Sequence, residues 1–405
     1  MSSISRKTVA WASGAVVAVG ACTAGIVIAA QGSGSSSGHT AGGASAQAAA
    51  AEKPLRLVSV SPAGGATDVN GAGAVTVTYN EPLPASAPLP ALSPAVAGAW
   101  HRTGDTAVFT PAVGYPEHTR VTVTVTVPGS NAGTEPGSDA STAAAKPAAS
   151  ASGSPAVSAS PAAPGTVSDT FVTGAYSTLR MQEILAQLGY LPMTWTQTAG
   201  ADVTATSAAD QLAAAYAPPA GTFTMAPGYP SGLQSFWSQG QPDTMTRGAL
   251  MGFESDHNMT VNGTASAKVW TALLTAAEKN QANTHGYSYA IASKNSPETL
   301  TIWHNGTKVF SSLANTGIAV APTADGTYPV YLKLPFQVMS GTNPDGSTYA
   351  DPVQWVSYFN GGDAVHYFSR GSYGWPQSLG CVELPYTAAK NAYPYLPYGT
   401  LVTVS

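Results

Sequence analysis

His366-Tyr367-Phe368-Ser369-Arg370-Gly371-Ser372-Tyr373-Gly374-Trp375-Pro376-Gln377-Ser378-Leu379-Gly380-Cys381-Val382-Glu383-Leu384 is the stretch around which the chain is organised. A histidine is followed by a loop rich in glycine and aromatics, then by Ser-x-Gly-Cys running into an apolar segment. His366 and Cys381 are too far apart to touch within one element, so the loop between them has to double back. If it does, imidazole can take the thiol proton and leave a thiolate nucleophile. Gly380 lets the backbone turn tightly before the cysteine, which frees nearby N–H groups for an oxyanion.

Cysteine usage sharpens this reading. The chain has two cysteines, Cys22 and Cys381, and Cys22 lies in an apolar N-terminal run. If that run is a targeting element, the exported part has one thiol and no internal disulfide. Such a thiol is buried and inert, an intermolecular linker, or a nucleophile. The Gly-Cys turn and the histidine at loop distance favour the nucleophile.

Ser378-Leu379-Gly380-Cys381-Val382-Glu383-Leu384, with His366 upstream, resembles the active-site signature of the L,D-transpeptidases of bacterial cell walls. Ala321-Pro322-Thr323-Ala324-Asp325-Gly326-Thr327-Tyr328-Pro329-Val330 is similar to that family's Thr-Pro-x-Gly-x-Tyr/Phe segment. Tyr398-Gly399-Thr400-Leu401-Val402-Thr403-Val404 resembles its closing strand. Two positions depart from the pattern. Leu379 stands where the family has a second histidine, and Glu383 where it has an arginine able to hold a substrate carboxylate. The resemblance implies a mostly-β catalytic domain over 285–405 and Cys381 as nucleophile with His366 as its base. It also implies crosslinking of peptidoglycan stem peptides through a thioester, without metal or cofactor, and acylation of the thiol by carbapenem-type inhibitors. Backbone N–H groups around Gly380 and Cys381 would hold the oxyanion. Ser378, Tyr358, Tyr367 and Trp375 line a groove or pack the loop, and Glu383 is a candidate for substrate choice. Hydrolysis of the thioester would instead make an L,D-carboxypeptidase. A degenerate site on a wall-binding protein is the reading from another class. The chain is expected to act as a monomer.

Composition fits an exported, modular chain. Charged residues are 9% of it and the net charge is −5, so it lacks the basic patch that nucleic acid requires. At 405 residues it is long enough for several domains. Ser5-Arg6-Lys7 and the apolar run from Val9 to Ala30 read as export chemistry. The run is long enough to anchor the chain in the cytoplasmic membrane, and it ends where a signal peptidase could cut. Val19-Gly20-Ala21-Cys22 also loosely resembles a lipobox, so anchor, cleaved signal (1–30) and lipidation all stay open. The cell envelope is the expected location. Residues 31–52 are Gly/Ser/Ala-rich and read as a flexible tether.

Residues 53–174 carry β-branched residues with period two, as in Val75-Thr76-Val77-Thr78-Tyr79 and Val121 to Val127. Trp100 and Phe109 are candidate core aromatics. An immunoglobulin-like β-sandwich is predicted, and the Ser/Ala/Pro-rich stretch 129–165 is an insertion within it or a linker. Helical spacing follows over 175–280, from Leu179 to Leu191 and again from Val269 to Leu274. This part resembles a small peptidoglycan-binding module with roughly Ala201 to Gln241 inserted; a purely structural spacer is the other reading. Beyond Tyr287 strands return, and His304-Asn305-Gly306-Thr307 predicts a hairpin turn. The fold class is therefore multidomain and mainly β. His-Glu-x-x-His and Cys-x-x-Cys are missing from the sequence, and no Gly-x-Ser-x-Gly forms an elbow between a strand and a helix, which gives zinc and serine chemistry no support.

Overall fold

Strand alternation over the first third of the chain builds two sheets. The computed structural model describes residues 54–127, 165–200, 203, 204 and 206–405. The expected export segment, with its anchor or signal role, lies outside the described residues, as do the tether and residues 128–164. Strands β1 (Leu57–Ser61), β2 (Val75–Tyr79), β3 (Ala91–Ser93), β4 (Gly98–Thr103), β5 (Thr106–Pro111), β6 (Arg120–Val127) and β7 (Gly165–Val172) come first. They form an antiparallel sheet in the order β1-β2-β5-β4 and another in the order β3-β6-β7. Every second residue of β2 and β6 faces inward, and Val77, Val121 and Val123 are fully buried among Val75, Val125, Phe109 and Phe171. Each such side chain contributes about 1.5–3 kcal/mol of burial. Trp100 packs on Phe109 with ring centroids 5.4 Å apart. Because β6 pairs with β7 from Arg120↔Val172 to Val127↔Gly165, residues 128–164 connect two paired neighbours of one sheet.

The next stretch is not purely helical, which corrects the expectation for it. α1 (Thr178–Gln187) leads into β8 (Met193–Ala199), followed by α2 (Ala208–Tyr216), β9 (Ala220–Met225), α3 (Thr244–Asp256) and α4 (Ala267–Glu278). β8 and β9 form an antiparallel pair, so the part expected to be inserted supplies a helix and a strand of its own. Short polar side chains start the helices. Ser207 accepts from the Asp210 N–H, Asp243 from Thr246 and Ser266 from Val269. Between α3 and α4, the buried Glu254 carboxylate accepts N–H bonds from Asn262 (2.7 Å) and Gly263 (2.8 Å). Arg180 and Glu183 are wholly buried and paired at 2.9 Å, with Gln211 accepting from the guanidinium at 2.8 Å. Left singly, either charge would be costly there.

The C-terminal third holds β10 (Ser288–Ser293), β11 (Thr299–His304), β12 (Thr307–Leu313), β13 (Gly326–Pro329), β14 (Leu332–Thr342), β15 (Thr348–Asn360), β16 (Asp363–Tyr367), β17 (Val382–Leu384), α5 (Tyr386–Ala392) and β18 (Leu401–Val404). One sheet runs β12-β11-β10-β18-β13 and the other β14-β15-β16-β17. The expected hairpin joins β11 to β12, with Asn305 and Gly306 both at positive φ, as a two-residue turn of the primed type requires. Val365, Val382 and Leu384 of one sheet meet Ile302, Val402 and Val404 of the other in a core closed by Ala389 and Ala392 of α5.

A second core binds the helices to the back of this domain. Tyr287, Tyr289 and Leu401 are buried together with Ile184 and Leu185 of α1, Leu250 and Phe253 of α3 and Trp270 of α4. Contact is close enough to demand glycine on both sides. A Cβ on Gly248 would meet the Gly399 carbonyl oxygen at 2.6 Å, and one on Gly399 would meet the Gly248 oxygen at 2.0 Å.

Candidate active site

The loop does double back. β16 and β17 are parallel neighbours, with Val365 opposite Val382 and His366 opposite Glu383. Side chains alternate along a strand and in-register neighbours share a face. Cys381, two residues before Glu383, therefore lies on the same face as His366. Both side chains line one cavity of about 720 Å³.

The returning loop is held down by the segment after β12. Asn315 and Glu383 exchange backbone hydrogen bonds (3.0 and 2.9 Å), and the N–H groups of Gln377 and Ser378 both donate to the Thr316 oxygen (2.9 and 3.0 Å). Thr316 is itself fixed by the buried Glu298 carboxylate, which accepts its N–H at 2.6 Å and its hydroxyl at 2.8 Å.

His366 is buried, 3% exposed. Its Nδ1 lies 2.9 Å from the Tyr367 carbonyl oxygen. A carbonyl can only accept, so Nδ1 carries the hydrogen and the neutral ring presents Nε2 as a proton acceptor. Burial moves the imidazole pKa below its ordinary value. Burial also pushes the Cys381 thiol up to about 12, with the Asp363 and Glu383 carboxylates adding to it and a backbone hydrogen bond from Ala364 opposing it. The resting pair is thus uncharged thiol and neutral imidazole, not an ion pair. Sγ approaches the Gly362 carbonyl oxygen at 3.7 Å.

Gly380 adopts φ +116°, and a Cβ there would meet Asp363 Oδ1 at 2.4 Å, so the turn needs glycine for conformation and for space. Its own N–H differs from expectation. It donates to Ser378 Oγ (3.2 Å), while the same hydroxyl donates to the Cys381 carbonyl oxygen (2.6 Å). Ser378 therefore fastens the Ser-x-Gly-Cys turn upon itself. The Cys381 N–H makes no hydrogen bond to the described residues and is the amide left for an oxyanion.

Tyr358, Ser378, Glu383 and the departing residue Leu379 line the cavity with Cys381 and His366; Tyr367 and Trp375 do not. Tyr367 packs edge-on against Tyr386, with centroids 5.1 Å apart, and Trp375 is exposed. Tyr358 donates its hydroxyl hydrogen to Gln337 Oε1 on β14 at 2.8 Å. Glu383 points to a residue that sequence reasoning missed. Arg370 donates Nε to Glu383 Oε2 (2.8 Å) and Nη2 to Oε1 (2.7 Å), a bidentate pair beside the base. The β14–β15 hairpin walls the cavity opposite with Gln337, Met339, Tyr349 and Asp351.

Two family models match the chain. The L,D-transpeptidase catalytic domain matches residues 287–404 and the bacterial Ig-like domain residues 51–144. Among solved structures, the chain is similar to an L,D-transpeptidase from Mycobacterium smegmatis. Identity is 16%, 87% of this chain and 100% of that one are covered, and the TM-score is 0.28. L,D-transpeptidase 3 from Mycobacterium tuberculosis is 14% identical, with 86% and 98% covered and a TM-score of 0.28. The catalytic domain of the E. faecium L,D-transpeptidase, solved acylated by ertapenem, is 23% identical over 29% of this chain and 97% of its own, with a TM-score of 0.27. No curated protein matches the chain. The two β-rich parts are thus a bacterial Ig-like domain and an L,D-transpeptidase catalytic domain, and neither match covers the helices between 178 and 278.

Proposed function

With residues 287–404 forming an L,D-transpeptidase catalytic domain, we propose that Cys381 is the nucleophile and His366 the base of a reaction that crosslinks peptidoglycan stem peptides. The observation that carries this reading is the orientation of His366. Its Nδ1 is committed to the Tyr367 carbonyl, so Nε2 is the open acceptor on the face and in the cavity of Cys381. Nε2 takes the thiol proton as Sγ attacks a stem-peptide carbonyl, forming the C–S bond. The Cys381 N–H stabilises the oxyanion, a contribution of about 3 kcal/mol for one such donor. The scissile C–N bond then breaks, and the imidazolium returns its proton to the departing amine of the terminal amino acid. An acceptor amine attacks the thioester, gives its proton to Nε2 and releases the thiol. Neutral partners at rest suit this cycle, since charge develops only once substrate has displaced water.

The apolar run of the sequence supports an exported protein working at the cell envelope, with the sandwich and the helices as its wall-side modules. The helical part is proposed as a peptidoglycan contact on sequence resemblance alone. A carbapenem is the matching covalent probe, because its strained acyl group reports an activatable thiol.

The test is incubation of the full chain with a disaccharide-tetrapeptide, with products read by mass spectrometry, beside Cys381→Ala and His366→Ala. A crosslinked dimer made by the native chain and lost in both variants supports the proposal. Tripeptide without dimer would make the protein a carboxypeptidase. Binding to sacculi with no turnover would overturn the enzymatic reading.

A further inference from the structure

Four carboxylates and one guanidinium line the catalytic cavity: Asp345, Asp351, Asp363, Glu383 and Arg370. Arg370 is held from three directions. Glu383, 4% exposed, fixes Nε and Nη2, and the Gln377 carbonyl accepts a second bond from Nη2 at 3.0 Å. Phe368 lies under the guanidinium, with Cζ 4.6 Å from the ring centroid. Nη1 makes no hydrogen bond to the described residues, and the side chain is 29% exposed. A guanidinium oriented by a buried carboxylate and stacked on an aromatic ring loses little entropy when it takes a further anion. The Glu383 carboxylate needs a cation, but one that lies along the cavity wall with an edge free can serve a second anion as well.

The anion that the reaction brings there is set by covalent geometry. If the donor loses a single terminal amino acid, the carboxylate of that residue lies about 4 Å from the attacked carbon through three bonds. Glu383, which aims Arg370, sits in register with the base His366. Resting on the transpeptidase reading above, we propose that Arg370 is the specificity-determining residue for the donor. Its free Nη1 edge binds the terminal carboxylate of the departing amino acid, and Glu383 positions it. The cation expected at position 383 is thus supplied by position 370, from across the loop.

The experiment compares kcat/KM for two donors, a tetrapeptide with a free C-terminal carboxylate and the same peptide as its carboxamide. The full native chain, Arg370→Lys and the double variant Arg370→Gln/Glu383→Gln are each measured. The double variant avoids leaving a buried carboxylate unpaired, and its circular dichroism and carbapenem labelling of Cys381 report whether the site still folds. The native chain is expected to favour the carboxylate donor by tenfold or more, mainly through KM. The double variant is expected to bring that ratio close to one, and Arg370→Lys to restore part of it. A purely structural role for Arg370 would lower both donors alike and leave the ratio unchanged, which would overturn the proposal. Equal use of both donors by the native chain would overturn it too. Failure of the native chain on both donors would instead strike the transpeptidase reading on which it rests.

Discussion

Two side chains with opposed electrostatic needs share one face of a short parallel strand pair. Burial keeps His366 neutral below its ordinary pKa and keeps Cys381 protonated, so neither group alone is reactive at neutral pH. The sign of the pH dependence follows. A base whose pKa is lowered stays unprotonated to lower pH, so the acidic limb of kcat/KM is expected below pH 6.5, the unperturbed imidazole value. A limb at or above that value would contradict a buried, neutral His366. Alkylation of Cys381 by iodoacetamide is expected to fall by tenfold or more in His366→Ala at pH 7, since no base then takes the thiol proton. Gly380→Ala is expected to cost at least a hundredfold in kcat and also to lower the thermal midpoint, since alanine is strained at this φ. The added methyl collides with Asp363 at a buried turn held at positive φ, and it misaims Sγ. His366, Gly380 and Cys381 were legible because one short motif holds all three. Arg370 was not, because only the folded loop brings it to Glu383, thirteen positions away.

Among the elements, the sandwich was the most readable, since period-two alternation of valine and threonine has few other solutions. The antiparallel β8–β9 pair was missed although Met193 and Trp195 alternate with threonines and face Met225 and Phe223 across the register. Its strands are split by α2, so neither has a sequence neighbour to declare the pairing. The contact of α3 with the catalytic domain was equally hidden. Gly248 in mid-helix looks like a weak point, yet the Gly399 carbonyl occupies the space where its side chain would be. Gly248→Ala is therefore expected to destabilise the chain by about 2–3 kcal/mol despite its better helix propensity, measured by urea unfolding. A neutral or stabilising result would mean that the contact is loose in solution.

Across the whole molecule, the sandwich joins the helical part through polar and aromatic contacts. The Tyr216 hydroxyl donates to the Tyr115 carbonyl oxygen at 2.9 Å, the Tyr176 N–H donates to Glu117 Oε2 at 2.9 Å, and Tyr176 stacks edge-on between Tyr216 and Trp270. The helices join the catalytic domain differently, through a continuous apolar core. That core has a consequence for anyone who cuts the chain where the catalytic family match begins. Tyr287, Tyr289 and Leu401 would lose Leu250, Phe253 and Trp270 at once and turn an oily sheet face to water. The excised fragment is expected to self-associate or precipitate at micromolar concentration, while a fragment from about residue 175 stays monodisperse, as light scattering would report. Solubility, more than catalysis, decides where the functional unit begins.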